Sequence, residues 1–247
     1  MQLSRKCQFK GICKHCYLGP AQDIKLNKQI IFDTFNTFNK IEGITLHGEA
    51  TGDMEMLEFL AVNMLQASEI MEINGIAITT NGVEIEKLLA LLSTIQNVYP
   101  HSPFLSLTGV SDTRFHRESA KKLGYDYDEI MQNVRRAINK YPVPASITRE
   151  DSRGYRCSGN AERFKDIVKP DTTVDKDRLK YIVASGFHVD YDRSTDTLHV
   201  PCINIDATGA VIPSDYLSYK DVDSGNYTYF TLNGSNLQEN LENSMDR

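Results

Sequence analysis

The sequence lacks any apolar run of the roughly 18 residues that a membrane-spanning helix needs. Its opening decapeptide, MQLSRKCQFK, holds no apolar segment of the kind that marks a secretory leader. Neither secretion nor membrane spanning is expected, and the chain reads as cytoplasmic. Basic charge is short as well: 27 Lys and Arg stand against 33 Asp and Glu, a formal net charge of −6. A general nucleic-acid binder needs the opposite balance to neutralise phosphates, so at most a local basic patch is left open. Internal repeats and low-complexity stretches are missing. Cysteine is scarce, and its count of five is odd. An odd set with three members clustered fits a reducing compartment, where thiols are kept for metal rather than paired.

What remains is ordinary in composition, with 40% hydrophobic and 24% charged residues. That balance describes a soluble globular protein, and 247 residues suffice for one large α/β domain or two small ones. The unusual feature comes first. Cys7, Cys13 and Cys16 stand in the spacing C-x5-C-x2-C, interleaved with Lys6, Lys10, Lys14 and His15, which is no pattern for a buried apolar face. Three thiolates on one short loop converge on zinc or an iron–sulfur cluster without long-range folding. Three is one fewer than a closed site requires, so one coordination position is left to something other than protein. A zinc knuckle completed by His15, Cys157 or Cys202, with no turnover, is the alternative.

Residues 1–6 are expected to form a short strand that delivers this loop. Beyond Gly19-Pro20, Ile30, Ile31, Phe35 and Phe38 recur at near-helical spacing. Ile44 and Leu46 then alternate in a strand that hands over to Gly48-Glu49, and Asp53 is placed to cap a helix striped by Leu57, Leu60, Ala61, Met64 and Leu65. The alternation repeats. Ile76 and Ile78 mark a strand ending at Thr80-Asn81-Gly82, followed by a helix through Ile85, Leu88, Leu89, Leu92 and Ile95. A third strand is expected over 104–109, then a polar loop, a helix after Asp126, and a fourth strand over 143–148. Strands alternating with helices predict right-handed βαβ units and a parallel sheet, with functional residues where strands run out into loops. A helix around Leu179, Ile182 and Val183 stops at Gly186. From there the composition shifts to Asp, Thr, Tyr and Gly, with two short strands about Thr208-Gly209 and an end from Ser235 polar enough to fray.

A cysteine triad at the start, LHGEAT after one strand, ITTNG after the next and LSLTG in the third, in that order, resembles the radical S-adenosylmethionine (AdoMet) enzymes over about residues 1–165. The resemblance implies an α/β fold, a partial (β/α)6 TIM-like barrel of parallel strands with a small C-terminal β-containing cap, divided as 1–186 and 187–247. It also implies a [4Fe–4S] cluster on Cys7, Cys13 and Cys16, whose open iron is chelated by AdoMet. The cluster's electron would cleave AdoMet to a 5′-deoxyadenosyl radical that abstracts hydrogen from a substrate. An electron donor such as flavodoxin or ferredoxin is implied with it.

Carried over residue by residue, Gly48 and Glu49 match the family's GGE motif, with His47 in place of its first glycine and Glu49 meeting the AdoMet ammonium. Asn81 and Ser106 fall where the family places polar contacts to AdoMet or substrate, although both also read as turn or loop residues. Gly159-Asn160-Ala161 looks like the family's Gly-Arg-Ala motif beside the ribose and carboxylate, with Asn160 for arginine. His15 takes the position of an aromatic residue packed near adenine. Two additional residues lengthen the first cysteine interval beyond the usual C-x3-C. Further on, Cys202, IDATGAVIPS and Asp223-Ser224-Gly225-Asn226 are similar to the SPASM extension of peptide-modifying members. Ser214 stands where that extension has a cysteine, so a cluster-free cap is expected, with Cys157 and Cys202 as isolated thiols. A peptide or protein substrate is the first reading and a small metabolite or nucleotide the second.

Overall fold

The computed structural model describes residues 1–98, 105–149, 156–157, 159–169, 172–195 and 197–245, and the backbone alone at 105–107, 149, 156–157 and 172–173. Residues 1–5 run extended between three partners. The His47 N–H donates to the Met1 carbonyl at 3.0 Å, Gln2 N–H to Ile205 at 2.7 Å, and Arg5 N–H to Ile24 at 2.9 Å. Because these bonds are scattered, the expected first strand is an extended segment with an isolated bridge from Ser4 to Lys25.

Helix α1 (Lys28–Thr37) is capped by Asn27 and buries Ile30, Ile31 and Phe35, with Phe38 just past its end. The two-residue β1 (Lys40–Ile41) precedes β2 (Ile44–Leu46), and α2 (Met54–Ala67) begins at Asp53, whose carboxylate accepts the Met56 N–H as expected. After β3 (Glu72–Ile73), which pairs with β1, come β4 (Gly75–Thr80) and α3 (Ile85–Val98). All five apolar residues of the expected α3 stripe are buried. Then follow β5 (Leu105–Asp112), α4 (Arg114–Lys122), α5 (Tyr127–Lys140) and β6 (Ala145–Arg149). Strands β2, β4, β5 and β6 lie side by side in that order, each parallel to the next. The chain is thus a mixed α/β fold on a parallel sheet.

Two local expectations are corrected here. The third strand runs to Asp112, three residues past the expected 109, while 104 lies outside the described residues. The polar loop after it is α4, which escapes a periodicity reading because RFHRESAKK buries only Phe115, Ser119 and Ala120.

The remainder is made of short pieces. A parallel pair, β7 (Arg156–Cys157) with β8 (Thr172–Thr173), brackets α6 (Gly159–Arg163) and α7 (Lys165–Val168), and α8 (Lys176–Ala184) follows. Strands β9 (Asp190–Asp192) and β10 (Thr197–His199) form a hairpin. The expected pair about Thr208-Gly209 is β11 (Asn204–Ile205) and β12 (Ala210–Ile212), joined by β13 (Phe230–Thr231) on the far side of α9 (Tyr219–Asp223). The end does not fray as its polarity suggests. Residues Leu237–Met245 form α10, whose Leu237 and Leu241 are buried and whose first N–H donates to Asp33 of α1 at 3.0 Å. One apolar cluster runs from Leu3 and Phe9 through Leu60, Leu88 and Val110 to Val211 and Leu241, crossing the expected division at 186/187. Among the described residues no helix is long and apolar enough to cross a membrane.

Arg5 ties the two ends of the chain together. It is fully buried, and its guanidinium donates to Asp206 at 2.8 Å, to Asp223 at 2.6 Å and to Gln22 at 2.6 Å while lying 4.6 Å over the Tyr219 ring. Removing one member of such a group strands the buried partner charge, at a cost of about 3–5 kcal/mol. Arg5→Met is therefore expected to lower unfolding stability by that amount in urea titration. A loss below about 1 kcal/mol would mean that the ends are not held through this residue.

Candidate active site

The parallel sheet presents the carboxyl ends of its strands to one side. There β2 runs into His47, Gly48 and Glu49, β4 into Asn81, β5 through Ser111 to Thr113, and β6 reaches Thr148. All of them border one cavity of about 620 Å³, and the cysteine loop lines it too with Cys7, Cys13 and Cys16. The loop is a succession of tight turns. Lys10 N–H donates to the Cys7 carbonyl, Ile12 N–H to Phe9 and Cys16 N–H to Cys13, at 2.9, 3.1 and 3.0 Å. Phe9 has no exposed surface and packs against His116, Tyr125 and Tyr127, so the lengthened first interval carries its own hydrophobic anchor.

The electrostatics of this wall are unfavourable to charge. Burial pushes the Cys7 and Cys13 thiols up to about 12, with the Glu49 carboxylate adding to both, and burial raises Cys16 too. Thiols in such a place ionise only beside a compensating cation. Among the described residues no three His, Cys, Asp or Glu side chains are gathered closely enough to hold a single metal ion. A cubane takes each thiolate on a different iron, so its ligands stand further apart than those of a single tetrahedral ion. Three thiols bordering one cavity, Cys13 buried and Cys7 and Cys16 half-buried, fit that donor set.

Glu49 is held from several sides. One carboxylate oxygen accepts from the Thr80 hydroxyl at 2.6 Å and the Thr51 hydroxyl at 2.7 Å, and the other accepts the Asn81 N–H at 2.7 Å. Burial raises its pKa, and these hydrogen bonds oppose the rise. Gly48 has φ +74°, and a Cβ there would stand 2.7 Å from the Gln2 side chain, so the turn that aims Glu49 requires glycine. Asn81 lies beside the loop, its amide donating to Gln8 at 3.1 Å and standing 3.9 Å from the Cys7 sulfur. The His15 ring stacks on Phe115 at 5.2 Å and meets His116 edge-on at 4.6 Å, and burial lowers its pKa to about 4.

Two residues singled out from the sequence are placed differently. Asn160 does not border the cavity. Its side-chain amide donates to the Gly11 and Cys13 carbonyls at 2.7 and 3.1 Å, and its N–H donates to Cys16 at 2.9 Å. It braces the cysteine loop from behind, close enough that a Cβ on neighbouring Gly159 would stand 2.3 Å from the Tyr17 carbonyl. Ser106 pairs with Ile76 near the start of β5, at the opposite end of the sheet from the cavity, because the strand is longer than expected. Cys202 is exposed and Cys157 lies on β7. The sequence reading missed Thr51, Thr80 and Gln8, which organise Glu49 and Asn81, although the two threonines stand within the quoted motifs. It also missed Ser111, Thr113 and His116, hidden in the unrecognised α4 junction, and Asp215, Tyr216 and Tyr219, which the C-terminal segment brings to the cavity.

No family model matches the chain, and no curated protein matches it. Among solved structures it is similar to native anSMEcpe with bound AdoMet and Cp18Cys peptide, with a TM-score of 0.51 and 14% identity over 98% of this chain and 80% of that one. At that identity the likeness shows the fold.

The contacts of Asn160 generate a prediction. Asn160→Ala leaves the buried Gly11 carbonyl without its donor and takes one of two donors from the Cys13 carbonyl, so iron retained after anaerobic reconstitution should fall by half or more. AdoMet affinity of the iron-loaded fraction, measured by calorimetry, should stay unchanged. Full iron content with weakened AdoMet binding would instead make Asn160 a ligand contact.

Proposed function

We propose that this chain is a radical AdoMet enzyme. The observation that carries the reading is the convergence of Cys7, Cys13, Cys16 and Glu49 on one cavity at the carboxyl edge of a parallel sheet. The motif resemblance and the fold shared with an AdoMet-bound protein support it. In this reading the sheet belongs to a partial (β/α)6 barrel, residues 1–186 form its core, and 187–247 form a cluster-free cap. Cys7, Cys13 and Cys16 hold a [4Fe–4S] cluster. When bound, that cluster supplies an electron for reductive cleavage of AdoMet to a 5′-deoxyadenosyl radical that takes hydrogen from substrate.

The chain's own residues do the rest. Glu49, fixed by Thr51, Thr80 and the Asn81 N–H, orients the AdoMet amino group through a charge-assisted hydrogen bond. Placing the ammonium there also offsets the cost of burying the carboxylate. Asn81 steadies the loop at Cys7, and His15 presents a neutral ring to the adenine side. The buried aromatic residues Phe9 and Phe115 keep water from this wall. A peptide or protein is the substrate class we favour, since the structural neighbour was solved with a bound peptide. A flavodoxin or ferredoxin is the proposed electron donor, and the cytoplasm the proposed compartment.

Anaerobic reconstitution with iron and sulfide tests this directly. The protein should turn brown, hold about four irons per chain, and release 5′-deoxyadenosine from AdoMet with dithionite. Replacing the three cysteines by alanine should abolish both properties. Glu49→Ala should keep the visible absorption and lose most AdoMet affinity. A colourless reconstituted protein, or one that binds zinc in preference, would sink the reading.

A further inference from the structure

The residue in place of the family's first motif glycine has a partner from the other end of the chain. His47 follows β2 and borders the cavity, and its Nδ1 lies 3.1 Å from the Asp215 carboxylate. A carboxylate can only accept at that distance, so Nδ1 carries the proton. Burial lowers the His47 pKa to about 4, which keeps the ring neutral at physiological pH and puts its lone pair on Nε2.

Asp215 is itself held in place. Just after β12, the Ser214 hydroxyl accepts the Tyr216 N–H at 3.2 Å, a turn with Asp215 at its centre. The Tyr216 ring meets Tyr17 edge-on at 6.1 Å, and the Tyr219 N–H donates to Leu18 at 2.9 Å, so this stretch docks on the end of the cysteine loop. Behind it, Arg5 grips Asp206 and Asp223, and Gln2 donates to the Tyr219 hydroxyl at 2.9 Å. Asp215, Tyr216 and Tyr219 all border the cavity that holds Glu49.

We propose that the His47–Asp215 pair makes the C-terminal segment a working wall of the AdoMet site, with His47 Nε2 accepting an N–H of the ligand's amino-acid end beside Glu49. The proposal rests on the radical AdoMet reading and adds to it a positioning role for Asp215, which acts on the ligand through His47. It also gives residues 214–219 a function that no cluster supplies: the polar turn that replaces a cysteine holds the carboxylate that orients His47.

The test is calorimetric AdoMet binding to anaerobically reconstituted full-length protein, with 5′-methylthioadenosine, which lacks the amino-acid end, as the second probe. Asp215→Ala and His47→Ala are each expected to weaken AdoMet roughly tenfold, on the scale of one charge-supported hydrogen bond. The double variant should be no weaker than either single, because the two act as a unit. Affinity for 5′-methylthioadenosine should not change. Asp215→Asn keeps an oxygen to accept the Nδ1 proton and should recover AdoMet affinity to within about threefold of the parent. Hydrogen exchange supplies an independent readout: AdoMet should slow exchange over 214–219 in the parent and not in Asp215→Ala. Should Asp215→Ala fail to fold, the His47→Ala comparison between the two probes decides.

Unchanged AdoMet affinity, an equal loss with both probes, or additive losses in the double variant would overturn the proposal while leaving the radical AdoMet reading intact. A parent protein that takes up its cluster and binds no AdoMet would overturn both.

Discussion

Four groups that become anions on ionisation, three thiols and one carboxylate, share the walls of one cavity, and burial resists charging each of them. The fold holds them together all the same. Phe9 is driven into the core to anchor the loop, Asn160 braces it through two carbonyls, and Glu49 is fixed by two hydroxyls and a backbone N–H. In the proposed reading cations offset that cost, with irons beside the thiolates and an ammonium beside the carboxylate.

The rest of the molecule follows from keeping that arrangement rigid. The parallel sheet places Glu49, Asn81 and Thr113 at neighbouring strand ends, and the α2 and α3 stripes bury one face of the sheet's surroundings in a continuous core. The cysteine loop has little regular structure of its own, so it borrows rigidity from both sides. One support is α6, through Gly159 and Asn160. The other is the C-terminal segment, through Tyr219 and the buried Arg5 network.

Much of the frame was legible in the sequence because periodicity reports burial. The α3 stripe, the Asp53 cap and the β2 and β4 strand ends all lie where apolar spacing puts them. The helix α4 was not legible, since only three of its residues are buried and its surface is charged. Likewise α10 looks like a frayed end until Leu237 and Leu241 are seen against α1. Within the site, the cysteines and Glu49 announced themselves through spacing and the strand end. Asn160 was noticed from motif order alone, and its amide turns to the Gly11 and Cys13 carbonyls, because a motif gives residue order and not which way a side chain turns. Asp215 carried no local signal at all; its meaning comes from a partner 168 positions away in sequence, counted from His47 to Asp215.

The most direct test of the central claim is electron paramagnetic resonance of the dithionite-reduced, reconstituted protein with and without AdoMet. The account predicts the signal of a single reduced [4Fe–4S] cluster whose g-values shift when AdoMet is added, since AdoMet would take the coordination position that three cysteines leave open. A spectrum unaltered by saturating AdoMet, or no iron–sulfur signal at all, would contradict it.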